Sequence, residues 1–212
     1  MQSEYFQLDR QDHLTILRLI SPDGTNRLSR ACVAALTSAI EQLARDPQPL
    51  IITGNEKFFS AGADLNEIVT LGYDAFDFAR MGQRLMQSID DFPAPVCAAV
   101  YGYCMGGGLD LALACDFRIA HPHAVFGHRG AALGLITGWG GTQRLPRLVG
   151  KAKALEMFVT AEKLPARQAM NNRLVDELAE DPVHASVDLL TMHSGQPMVK
   201  ESEFVRFLIQ VF

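Results

Sequence analysis

Short apolar segments alternating with amphipathic ones predict an α/β domain with a largely parallel inner sheet. Three observations carry that reading. The segments "LTILRLI", "PLIITGN" and "APVCAAVYG" are apolar and end in turn residues, as buried strands do. Stretches with apolar residues at helical spacing lie between them. The chain of 212 residues is 48% hydrophobic and 20% charged, enough to bury a sizeable core.

The elements follow in order. "HLTILRLI" reads as a strand, and "SPDGTNRLS" as turn chemistry in which Ser29 can begin a helix. Leu28, Cys32, Leu36, Ile40 and Leu43 then recur at helical spacing, with Glu41 and Arg45 on the other side. "PLIITGN" is a short strand closed by a Gly-Asn turn, and "EKFFSAGADLNEI" after it reads as a loop. A helix is expected from about Tyr73 to Asp90, ended by Asp91-Phe92-Pro93. "APVCAAVYG" is a buried strand leading into three glycines, Gly106 to Gly108. Leu109 to Cys115 is a short apolar helix, and "DFRIA" another strand. "AVFGHRGAALGLITGWGG" is glycine-rich and mostly irregular. "TQRLPRLVGKAKALEMFVT" holds two helical pieces hinged near Pro146 and Gly150. "PARQAMNNRLVDELAE" supplies one more helix and a final short strand. The stretch from Asp181 to Phe212 is less patterned. It ends on the apolar run "KESEFVRFLIQVF", which is expected to pack on the body or on a partner.

Composition excludes several classes. The net charge of −5 argues against nucleic-acid binding, which calls for a basic patch. The N-terminus is polar and charged, unlike a signal peptide, and no apolar run reaches about 18 residues, so a cytoplasmic chain without a membrane span is expected. Cys32, Cys97, Cys104 and Cys115 lack CxxC spacing and read as buried thiols in a reducing compartment. No GxGxxG follows a strand, and there is no P-loop and no GxSxG elbow. His121 and His123 fit a surface turn, "AHPHA", better than a metal site.

Two glycine-bearing loops remain, one around Ala63 and one around Gly107, each after a short apolar strand. A helix that opens on glycines leaves its first N–H groups unpaired and lets a ligand approach the backbone. Two such donors converging on one oxygen make an oxyanion hole, suited to a thioester carbonyl becoming an enolate. Tight strand-to-helix packing is the other reading of the same glycines.

"FFSAGADLNEI", "PVCAAVYGYCMGGGLDLALACDFRIA" and "GLITGWGGTQRLPRLVGKAKALEMFVT" resemble the signature segments of the crotonase superfamily, the enoyl-CoA hydratase/isomerase family. The match runs from about Leu14 to Glu180. The resemblance implies a spiral of ββα turns over residues 1–180, a short or truncated C-terminal helical tail over 181–212, and homotrimers, often paired into hexamers. It implies acyl-CoA thioesters as substrates, with coenzyme A part of the substrate and no separate cofactor or metal. Carried onto this sequence, the oxyanion donors are the N–H groups of Ala63 and Gly107. Ala61, Ala63, Asp64, Leu65 and Asn66 line the CoA pocket, with Asp64 equally readable as a helix N-cap. Trp139 walls the acyl pocket or packs in the core.

The sequence departs from the family pattern at its acids. Hydratases of the family use two glutamates. Asp110 stands at the first position, one methylene shorter; it is also readable as an acid complementing a helix dipole. Gly130 stands at the second, where no carboxylate remains. His128, on the same side as Gly130 if the chain is extended, can supply the acid/base, or is a histidine at the surface or just behind the site. Alternatively, Gly130 opens room for an anion beside Arg129, or the chain keeps the fold with little activity. The expectation is therefore an acyl-CoA enzyme that stabilises a thioester enolate. A decarboxylase or other enolate former, or a weakly active CoA-binding homologue, stands as the alternative.

Overall fold

The computed structural model describes residues 3–70 and 72–192. β1 (Phe6–Arg10) and β2 (Thr15–Leu19) pair as an antiparallel hairpin, with Phe6 opposite Leu19. After β3 (Arg27–Leu28), the Ser29 hydroxyl accepts from the Cys32 N–H at 3.1 Å and caps α1 (Arg30–Leu43), as the turn chemistry predicted.

The chain then winds as a spiral. β4 (Leu50–Thr53) joins a large sheet and β5 (Phe58–Ser60) a small one, before β6 (Gly62–Ala63), α2 (Leu65–Thr70) and α3 (Ala75–Asp90). β7 (Val96–Val100) and β8 (Tyr103–Met105) repeat the step and lead into α4 (Gly107–Leu113). β9 (Phe117–Ala120) and β10 (Val125–Gly127) repeat it again, followed by α5 (Gly141–Val149) and α6 (Lys151–Thr160). β11 (Leu164–Pro165), α7 (Ala166–Asn171), β12 (Glu177–Leu178) and α8 (Pro182–Met192) close the described chain. The large sheet has the order β1-β2-β4-β7-β9-β12 and the small one β11-β10-β8-β5. β2, β4, β7, β9 and β12 run parallel, which confirms the parallel inner sheet.

Alternation along the central strands builds two cores. Val96, Ala98 and Val100 of β7 face the main core with Leu50 and Ile52 of β4. Cys97 and Ala99 face the opposite side with Ile51, where Leu190 of α8 covers them. All four cysteines are buried.

The structure corrects three readings. The "EKFFSAGADLNEI" loop contains β5, β6 and the start of α2. The strand "APVCAAVYG" does not run into the glycines; β8 intervenes and carries the chain to the small sheet. The helical hinge is Gly150 alone, at φ +82°, while Pro146 lies within α5. Of the expected tail over 181–212, α8 is described; "KESEFVRFLIQVF" lies outside the described residues.

Ser29→Ala removes the α1 cap. It is expected to lower stability by about 1 kcal/mol, read as a lower urea midpoint at unchanged m-value.

Candidate active site

The site forms where β6 meets the start of α4. Gly62, at φ +92°, brings the two backbones together: a Cβ there would lie 2.6 Å from the Met105 carbonyl oxygen and 2.9 Å from the Gly107 nitrogen. Gly108 does the same against β5, where a Cβ would meet the Ser60 carbonyl at 2.6 Å. These are backbone contacts that no side chain allows, so the packing reading of the glycines is correct.

The donor reading stands beside it. On β6, Gly62 N–H donates to Ser60 Oγ at 3.1 Å and Asp64 N–H to the Leu28 carbonyl at 3.4 Å. Strand alternation turns the Ala63 N–H between them the other way, toward α4. The Ala63 nitrogen lies 3.3 Å from the point a Gly107 Cβ would take. Gly106 N–H donates to the Gly127 carbonyl at 2.9 Å, and its carbonyl accepts from Asp110 N–H at 3.0 Å. That anchors the turn and leaves Gly107 as the first residue of α4, whose N–H has no intrahelical acceptor. Both predicted donors thus lie on neighbouring backbone segments.

One turn along α4, Asp110 is 2% exposed. Its Oδ2 accepts from the Thr137 hydroxyl. Its Oδ1 has no hydrogen-bond partner and lies 3.4 Å from His128 Nε2, which has none either. The N-terminus of α5 presses on this pair: a Cβ at Gly141 would fall 2.2 Å from Asp110 Oδ1 and 2.9 Å from His128 Nε2. Burial raises the Asp110 carboxyl to about 7, against the opposing pull of the Thr137 hydroxyl, the Arg144 charge and the Gly141 amide. Burial lowers His128 to about 4. Between about pH 4 and pH 7 the pair is therefore a neutral acid facing a neutral imidazole.

His128 is 3% exposed and packs its ring 5.2 Å from that of Phe158, so it is not a surface histidine. Gly130 is not brought to the pair by strand alternation, because the chain turns into a 3₁₀ segment at Gly130–Leu133. A Cβ at Gly130 would meet the Leu135 carbonyl oxygen at 2.6 Å. That oxygen is a poor neighbour for an anion. Asp64 caps α2 through its Oδ1, which accepts from Asn66 N–H at 2.9 Å. Ala61 is half-buried, while Leu65 and Asn66 are exposed beside the Ala63 donor. Trp139 is buried against Gly107.

Thr137 escaped the sequence reading. Its only signal is alternation in "TGWGG": Thr137 and Gly141 meet Asp110, and Trp139 between them meets Gly107. Among the described residues no group of three or more His, Cys, Asp or Glu could hold a metal ion. No helix among them is long and apolar enough to cross a membrane.

Asp110→Asn tests the electrostatics. Asp110 binds a proton more tightly folded than unfolded, so wild-type stability falls as pH rises from about 4 toward 7. The amide carries no charge and can donate to His128. At pH 8 the variant is expected to be more stable than wild type by on the order of 2 kcal/mol, an advantage that shrinks toward pH 4; urea unfolding at the two pH values reads it.

The sequence model of the family described as "Enoyl-CoA hydratase/isomerase" matches residues 9–204. The chain is 41% identical over 172 residues to a protein named "Probable enoyl-CoA hydratase" from Bacillus subtilis (strain 168), covering 79% of this chain and 66% of that one. It is 38% identical over 184 residues to the crotonyl-CoA hydratase of Syntrophomonas wolfei, covering 85% and 71%. The crystal structure of enoyl-CoA hydratase from Thermoplasma volcanium superposes with a TM-score of 0.87 at 32% identity, covering 98% of this chain and 84% of that one. The chain spans about two thirds of the length of the curated relatives it matches. It belongs to the enoyl-CoA hydratase/isomerase family, and its ββα spiral is the crotonase fold.

Proposed function

We propose that this member of the enoyl-CoA hydratase/isomerase family processes acyl-CoA thioesters, with Ala63 and Gly107 N–H holding the thioester oxygen and Asp110 as acid/base. The single observation behind the reading is the placement of the two donors one helical turn from a buried, half-paired carboxyl. Gly107 and Asp110 are i and i+3 on α4 and share a face. A carbonyl oxygen held at Gly107 therefore sets its α and β carbons within reach of Asp110.

For a 2-enoyl thioester the steps balance as a hydration. Water attacks the β carbon while Asp110, ionised, accepts its proton. The double-bond electrons move toward the thioester, and the growing charge on oxygen meets the two N–H donors, each worth roughly 10²–10³ in rate. The Asp110 carboxyl then returns the proton to the α carbon. Thr137 orients the carboxyl, and His128 faces its other oxygen as a positioning residue. Ala61, Asp64, Leu65 and Asn66 would line the path of the CoA.

The same reading includes a homotrimer or a pair of trimers. Leu155 and Val159, 63% and 67% exposed and one turn apart on α6, support it as apolar surface in want of a neighbour. A cytoplasmic location belongs to the reading as well.

Crotonyl-CoA turnover, followed by loss of the enoyl absorbance, tests it. Asp110→Asn is expected to lower kcat by about 10²–10⁴ while acyl-CoA binding survives. The wild-type kcat/KM should rise with pH through about 7 as Asp110 ionises. Acyl-CoA binding without hydration, with CO₂ released from malonyl-CoA at a rate Asp110→Asn leaves intact, would replace hydration by decarboxylation.

A further inference from the structure

Trp139 is the chain's one tryptophan and is 5% exposed. Its indole is set into a notch on α3: a Cβ at Gly82 would fall 2.1 Å from both Cε2 and Nε1. Phe78, one turn earlier, meets it edge-on at 5.3 Å and 88°. Gln83 fastens the segment from the same helix, donating through Nε2 to the Gly138 carbonyl at 2.8 Å. The far edge of the indole reaches the donor site. A Cβ at Gly107 would fall 2.5 Å from Cζ3 and 2.7 Å from Cε3, and the Ala63 nitrogen is 3.3 Å from that same point.

The indole edge therefore packs directly against Gly107, beside the Ala63 nitrogen. We propose that Trp139 sets the acyl-length limit of the site, restricting it to short, unbranched acyl-CoA thioesters of crotonyl size. This deepens the functional reading above and rests on it. Residues at i and i+3 stand about 5–6 Å apart, which is room for a thioester carbonyl with its α and β carbons between Gly107 and Asp110. Thr137, Trp139 and Gly141 lie over that same face of α4. A longer chain has to leave it through the space the indole fills. The glycine at position 82 is the helix residue that lets the indole seat against α3, fixing how closely its far edge approaches Gly107.

Because the indole is the sole tryptophan, its own emission reports the contact. Titration with crotonyl-CoA is expected to change the emission, whereas CoA alone leaves it unchanged. By calorimetry, wild type should bind octanoyl-CoA at least about tenfold more weakly than crotonyl-CoA. Trp139→Leu and Trp139→Phe, each checked for folding by circular dichroism, should raise the octanoyl-to-crotonyl affinity ratio by at least about tenfold in the smaller variant, with phenylalanine intermediate. Equal affinity for the two thioesters in wild type, or one ratio shared by wild type and both variants, overturns the role of Trp139 and leaves the acyl-CoA reading standing. Failure of wild type and variants to bind any acyl-CoA overturns both.

Discussion

The site depends on the contact of three backbone segments at the start of α4. Gly62 and Gly108 let β6, α4 and β5 approach to distances that any Cβ would block, and Gly107 makes room for the Trp139 indole. Closing that gap does two things at once. It locks the small sheet to the helix, and it brings the Ala63 and Gly107 nitrogens, from different turns of the spiral, close together. The donors are thus a by-product of the packing, which makes them rigid. Preorganised donors cost no reorganisation when charge develops, and that is the condition under which they stabilise a transition state.

Asp110 is held by the opposite means. It is buried with one oxygen satisfied by Thr137 and the other left facing an unpaired imidazole nitrogen. A buried polar atom without a partner costs on the order of 1–3 kcal/mol, so the arrangement is a destabilising one that the surrounding core sustains. Its chemical consequence is a carboxyl raised toward neutrality, the range in which the proposed acid/base role operates best. The family's second glutamate has no counterpart at Gly130. In the proposed hydration, one carboxyl rather than two carries both halves of the proton transfer.

Much of the frame was legible because it rests on local rules. Ser29 capped α1 because a hydroxyl three residues ahead of a free N–H is a local geometry. The central strands were legible from continuous apolar runs. The small sheet was not: β5, β8 and β10 are three residues each, too short for a period to register, and their pairing is fixed by neighbours far along the chain. The expected donors at Ala63 and Gly107 came from the family resemblance; the glycines alone left the donor and packing readings open. Thr137 could not be named, because it sits in an irregular stretch and reaches Asp110 across 27 residues. Gly82 was equally silent, since its meaning lies in the indole opposite.

The central claim is that the Ala63 and Gly107 N–H groups polarise a thioester carbonyl beside Asp110. Infrared difference spectroscopy of bound crotonyl-CoA, carbon-13 labelled at the thioester carbonyl, tests it most directly. Two hydrogen bonds to the oxygen predict a carbonyl stretch at clearly lower frequency than in free solution. A bound ligand whose carbonyl band stays at the solution frequency would contradict the account.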